Sequence, residues 1–422
     1  MDPGRGTDAS AAADGESSLI RAVRAGDTAL VKDLLLHERD PGPLDTAFCL
    51  AVRTYSAGLA QLLLDHGADP SSHGPDELMP LREAVESGSP ALVEVLLHRR
   101  IRGRYPRSEL LRMRDLARHW HDTGVDTELR RRTGSQDAVG RTRVEDDEYY
   151  SVDELTLGEM TVRDGHAAIL TRLEELLGIR SSFEELTERA LSHCDQDHAA
   201  WGAVTILLSS RCDHETWAAA AALRTHPDPA HRLFGAEVLR LTHLLDGSDE
   251  DAFAGPALSI FAEWATAEAD LAVLTEVLVA LGEHADPRAD AALMLYTGHP
   301  DPRVRGAVAR GFGTWSESAA FSDDVREALL VLMTDKDTAV RRDACLTVAQ
   351  GRDRDPVLAD AMAALLGDAE RQVQVAAVHG LALHDDERCV EASRGLGRPR
   401  PGAFPEEHYL DAVWRYEGRH GV

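Results

Sequence analysis

Asp301-Pro-Arg-Val-Arg305, Asp337-Thr-Ala-Val-Arg341, Asp228-Pro-Ala-His-Arg232 and Glu370-Arg-Gln-Val-Gln374 each head an alanine-rich run of helical period. An acidic residue just before a helix satisfies free backbone N–H groups, and a proline directly after it loses no hydrogen bond. Nearer the N-terminus a second pattern recurs. Leu19-x-x-Ala22-Val23, Phe48-x-x-Ala51-Val52 and Leu81-x-x-Ala84-Val85 are followed at matched distances by Leu34-Leu35, Leu63-Leu64 and Leu96-Leu97. Recurring helical hairpins stack, because one hairpin cannot bury its apolar face alone. The fold class that follows is all-α, an α-solenoid of two successive arrays.

Composition agrees. The 422-residue chain is 43% hydrophobic but only 5% aromatic, so alanine, leucine and valine must do the packing. Lysine occurs only at Lys32 and Lys336, an arginine bias that points to a GC-rich bacterial genome. A net charge of −28 keeps the chain soluble and repels phosphate backbones. Residues 99–143 reverse that sign locally, with 13 arginines against 6 acids. No apolar leader opens the chain and no run is long enough to span a bilayer, so a cytoplasmic protein is expected. Five scattered cysteines read as reduced, mostly packed thiols.

Residues 1–16 read as a disordered tail. The first array is expected over 17–133, its last unit made of a helix at 108–121 and a return helix at 126–132. Residues 134–162, with Glu145-Asp-Asp-Glu148, Asp153-Glu154 and Glu159, read as an acidic linker or a strap lying on something basic. A helical connector at 163–194, a second array at 195–395, and a tail at 396–422 with a short helix near 406–416 complete the chain. Leading acids of the second array recur at intervals of 31, 40, 33, 36 and 33 residues from Asp197.

The first array resembles the ankyrin repeat, on the strength of its Leu-x-x-Ala-Val helices, Ala25-Gly26-Asp27, Glu86-Ser-Gly-Ser-Pro90 and Leu62-Leu-Leu-Asp-His-Gly-Ala-Asp-Pro70. The family's Thr-Pro-Leu-His turn is missing, and only Met79-Pro80-Leu81 approaches it. The Asp-Pro-x-Val-Arg-x-x-x-Ala pattern of the second array resembles HEAT repeats, in the short form found in phycobilin lyase subunits. Both resemblances imply non-catalytic protein–protein interaction, a scaffold or adaptor.

Ankyrin contacts usually fall on loop tips and first helices. That implies Arg53, Tyr55, His73, Arg82 and Glu86, with Arg99, Arg100, Arg102, Arg104 and Tyr105 at the end of the array, as partner-binding residues. The partner class is another protein, of unassigned identity, and the oligomeric state is open. A nucleic-acid reading would use the arginine-rich segment 99–143 with Tyr105, His119 and Trp120 for stacking, against acidic flanks that repel phosphate.

Other constellations take plainer readings. Asp301, Arg305, Asp337 and Arg341 are expected to cap helices and link successive repeats rather than bind ligand. His193-Cys194-Asp195-x-Asp197-His198 and Cys212-Asp213-His214 carry metal-competent side chains, but their spacing matches no zinc motif and they sit at expected helix ends. Deoxyhypusine hydroxylase, a HEAT-repeat iron enzyme, uses several His-Glu pairs. Only His37-Glu38 and His214-Glu215 occur here. Asp164-Gly165-His166 reads as a helix start, and Trp201, Trp217, Trp264 and Trp315 as packing residues. No Gly-rich phosphate loop, nucleophile elbow or paired catalytic cysteine is present. The expectation is therefore no enzyme, no cofactor and no metal, with a repeat-based lyase or metalloenzyme as the remaining alternative.

Overall fold

The computed structural model describes residues 17–36, 41–72, 79–247, 252–312, 321–351, 354–398 and 404–421. The expected disordered tail 1–16, His37-Glu38, His73 and Trp315 lie outside them. The chain divides into two compact units, Met1–Leu208 and Ser209–Val422.

The first unit opens with four helical hairpins: α1 (Ser18–Arg24) with α2 (Thr28–Leu35), α3 (Pro41–Arg53) with α4 (Ala57–Asp65), α5 (Pro80–Ser87) with α6 (Pro90–Leu96), and α7 (Arg107–Thr123) with α8 (Val125–Thr133). The Leu/Phe-x-x-Ala-Val positions form one continuous core, none of them more than 3% exposed. Side chains of Ser17, Asp27 and Ser89 cap α1, α2 and α6. Gly26 and Gly88 turn the chain at positive φ, where a side chain would be strained.

Residues 134–162 are not a linker. They contribute most of an antiparallel sheet of β1 (Gly140–Glu145), β2 (Ser151–Leu157) and β3 (Met160–Arg163), in order β1-β2-β3. The register explains why so acidic a segment is ordered. Arg143 stands opposite Asp153 and Arg163 opposite Glu154, so opposite charges face each other across the strands. Leu155, Leu157 and Val162 meanwhile bury against Trp120 and Leu129 of the last hairpin. The fold is thus helical as expected, with this small sheet added.

Two further helices follow, α9 (His166–Leu177) and α10 (Phe183–Leu191). They are fastened to α7 by Glu174, a buried carboxylate that accepts from Arg189, Ser181 and Arg118. Burial alone would raise its pKa, but these donors hold it below the usual carboxylate value. Helix α11 (Ala199–Ser210) closes the unit at Leu208, so most of the first helix expected of the second array falls within the first unit.

In the second unit the paired helices are α12 (His214–Ala222) and α13 (Pro229–Leu245), α14 (Ala254–Ala267) and α15 (Leu271–Gly282), α16 (Pro287–Met294) and α17 (Pro302–Gly311), α18 (Asp323–Leu332) and α19 (Thr338–Gln350), α20 (Pro356–Ala364) and α21 (Arg371–Leu383). Then come α22 (Arg388–Leu396) and α23 (Phe404–His420). Helices α13, α15, α17, α19, α21 and α23 stack in series. The tail helix is longer than expected, and Leu410, Ala412, Val413 and Tyr416 bury as the next layer of the stack. At Gly282 a Cβ would lie 2.3 Å from Gly311, so a glycine pair sets the approach of α15 to α17.

Candidate protein-interaction site

The ten residues singled out on the ankyrin-like block meet three fates. His73 is outside the described residues. Arg53, Tyr55, Arg82, Glu86 and Tyr105 are engaged in internal contacts or burial, whereas the arginines of 99–104 project from the loop between α6 and α7.

Tyr55 is not a free tip. Its backbone is left-handed (φ 56°), its hydroxyl donates to the Thr161 carbonyl at 3.1 Å, and the Arg163 guanidinium lies 4.1 Å over its ring. Burial in this contact between repeat and sheet pushes its pKa up to about 12. Arg53 pairs with Glu83 at 2.9 Å. Glu86 accepts from Arg82 and from Arg132, tying α5 to α8. Tyr105 is only 6% exposed, and burial raises its phenol pKa. It supports the loop from beneath and offers no surface.

Arg99, Arg100, Arg102 and Arg104 remain exposed, beside exposed His98. Arg104 reaches Asp69 at 3.0 Å, a solvated pair worth little. The guanidinium groups of Arg99, Arg100 and Arg102 make no ion pair among the described residues. Most other arginines of 99–143 are committed. Arg112 pairs with Glu109, Arg118 with Glu174 and Glu185, Arg130 with Asp126, and Arg131 and Arg132 with Glu128. The expected acidic strap does lie on basic residues, but on Arg141, Arg143 and Arg163 and not on the exposed ridge. Asp146, quoted in the sequence only as part of the acidic run 145–148, is its anchor. It accepts from the Ser89 hydroxyl at 2.7 Å, the Ala91 N–H at 2.7 Å and Arg163 at 2.8 Å.

The structure also gathers a cluster that the sequence scatters. Asp164 lies within reach of His193 and His198, with donor atoms of all three inside 4.8 Å of one another. These are the residues that could hold a cation, but their bonding suits a clamp better. His198 Nδ1 accepts from the Ala200 N–H at 3.1 Å, which places the ring proton on Nε2, facing Asp164 Oδ1 at 3.1 Å. The His193 and His198 rings are stacked, centroids 3.7 Å apart and planes 14° from parallel, so their in-plane lone pairs do not converge on one point. Burial, with His198 adding to it, pushes His193 down to about 4. The cluster thus joins the β3–α9 turn to the start of α11, where Ser151 N also donates to Asp197 O at 2.8 Å.

In the second unit the repeat motif is structural. Arg305 donates Nε and Nη2 to Asp335 and Nη1 to the carbonyls of His299 and Pro300. Arg341 repeats this with Asp368 and the carbonyls of Asp335 and Lys336, and Arg232 with Glu268 and those of His226 and Pro227. At the fourth position Gln374 keeps only the carbonyl bond, to Asp368. Asp301 and Asp337 cap α17 and α19. The partner of each arginine is the acid two residues before the N-cap position of the next helix in the stack, α15, α19 or α21, a detail the motif alone does not show. Trp201 and Trp264 are buried as expected, and Trp217 is half-buried.

Among the described residues no helix is long and apolar enough to cross a membrane. No curated protein matches the sequence. Two repeat families do match parts of it: ankyrin repeats, described as three copies, over residues 19–104, and HEAT repeats over residues 291–382. Repeats of both kinds are generally protein-interaction scaffolds and typically non-catalytic. The chain, α-solenoid in fold class, carries ankyrin repeats in its N-terminal part and HEAT repeats in its C-terminal part.

Proposed function

We propose that this protein is a non-catalytic scaffold or adaptor that binds another protein, and that the ridge Arg99, Arg100, Arg102 and Arg104 takes an acidic segment of that partner. The observation that carries the reading is the state of Arg99, Arg100 and Arg102, exposed and without ion pairs among the described residues, on a chain of net charge −28. Cations left unsatisfied on an acidic protein attract anionic partners. Of the residues first singled out, Arg82 and Glu86 pair with each other and Glu86 also with Arg132, while Arg53, Tyr55 and Tyr105 hold the repeats in shape.

A phosphate backbone could meet the same ridge. The commitment of Arg112, Arg118, Arg130, Arg131 and Arg132 to carboxylates favours a protein, because it leaves few cations for the extended contact a nucleic acid requires. The test is a pull-down from the native cells with mass spectrometry, beside a variant carrying Arg99, Arg100, Arg102 and Arg104 as Glu. A stoichiometric protein retained by the wild type and lost from the folded variant is the expected result. The reading fails if both samples retain the same proteins, or if the wild type instead retains nucleic acid whose binding collapses steeply with salt.

A further inference from the structure

A groove of about 240 Å³ opens in the first unit between α6, α9, α11 and the turn preceding β2. Its walls are apolar: Pro90 and Val93 from α6, Ile169 from α9, and Ala203, Ile206 and Leu207 from α11. Tyr150 also lines it, its ring packed so tightly on Gly202 that a Cβ there would lie 2.2 Å away. Ile206 is half exposed, although the helix carrying it has buried faces available. A large aliphatic side chain left in water beside a formed apolar groove marks a contact surface.

The rim gives the sign of the occupant. Glu94, Asp147 and Glu175 stand around the groove against a single cation, Arg172. Arg172 is already divided between two of them, Nε to Glu94 at 2.9 Å and Nη1 to Glu175 at 2.6 Å. Two negative charges are therefore left over on the rim. An acidic segment would be repelled, and so would most of the surface of a second copy of this chain at net −28.

We infer that the groove is a docking site for a partner segment presenting an aliphatic side chain flanked by basic residues. The aliphatic side chain enters between Val93, Ile169 and Ile206, and the flanking cations meet Glu94, Asp147 and Glu175. This site shares no residue with the arginine ridge and has the opposite preference, so either can fail without the other.

The test is fluorescence polarisation of labelled short peptides on the full chain at about 150 mM salt, where long-range attraction to the acidic surface is screened. Three peptides are compared: a Leu-Leu centre flanked by arginines, the same flanks around Ser-Ser, and a Leu-Leu centre flanked by glutamates. Only the first is expected to bind saturably. Ile206→Ser should weaken it by about tenfold, through loss of aliphatic contact. Arg172→Ala should tighten it by about two- to fivefold, by freeing two rim carboxylates. Ala203→Trp, which fills the groove, should abolish binding, and thermal melts matching the wild type show that each variant is folded. The inference is overturned if no peptide saturates, if the Ser-Ser peptide binds as well as the Leu-Leu peptide, or if Ile206→Ser leaves the affinity unchanged.

Discussion

Glu128 shows how much a single residue can be asked to carry. Its carboxylate is fully buried in α8 yet receives Arg131 at 2.6 and 2.7 Å and Arg132 at 2.8 Å. The hydrogen bond from Arg131 is the largest cause holding its pKa at about 2, against the ordinary 4.5, while burial opposes. The pKa is lower folded than unfolded, so the stability it supplies is complete above about 4.5 and lost as pH falls towards 2. Melting of Glu128→Gln should therefore lie furthest below the wild type above pH 4.5 and converge with it as pH falls towards 2. A constant gap across that range would show that the carboxylate's charge is not what matters. The same scale shows where sequence reading stops. Tyr55 and Tyr105 looked like loop-tip residues because a tyrosine after a helix says nothing of what packs over it. His193 and His198 share one motif and Asp164 belongs to another, and only tertiary folding brings the three together.

At the scale of elements, helices were legible and the sheet was not. Leu19, Ala22 and Val23 repeat at helical spacing, and Asp228, Asp301 and Asp337 announce their own helices as caps, so local signals suffice. The sheet's ordering signal is not local. Arg143 lies ten residues from Asp153 and Arg163 nine from Glu154, so the acids of 145–159 stand without basic neighbours until the strands pair. The arginine rungs of the second unit lie between these cases, since the motif names the arginine but not its partner. Arg305 and Asp335 are both nearly buried, with side chains 6% and 12% exposed. Arg305→Ala should cost about 3 kcal/mol by leaving Asp335 without its cation, and Arg305→Met with Asp335→Leu should recover part of it. Urea denaturation of the three proteins decides this. A double variant no better than the single one would place the cost in lost packing instead.

For the whole molecule, the proposed ridge on a chain of net −28 would discriminate by charge more than by buried area. Such surfaces govern association rate and its salt dependence, so the ridge variant should lose its partner chiefly through slower association at low ionic strength. The rungs place a limit of another kind, on where the chain can be shortened. They join Arg232 to Glu268, Arg305 to Asp335 and Arg341 to Asp368. A stop codon inside one of these spans would remove the carboxylate and strand a guanidinium in a place made for a pair. Chains ended at 269–304 or 336–340 break no rung, whereas ends at 306–334 or 342–367 break one each. Protein yields across a ladder of C-terminal deletions should thus rise and fall with the repeat, not decline steadily with length.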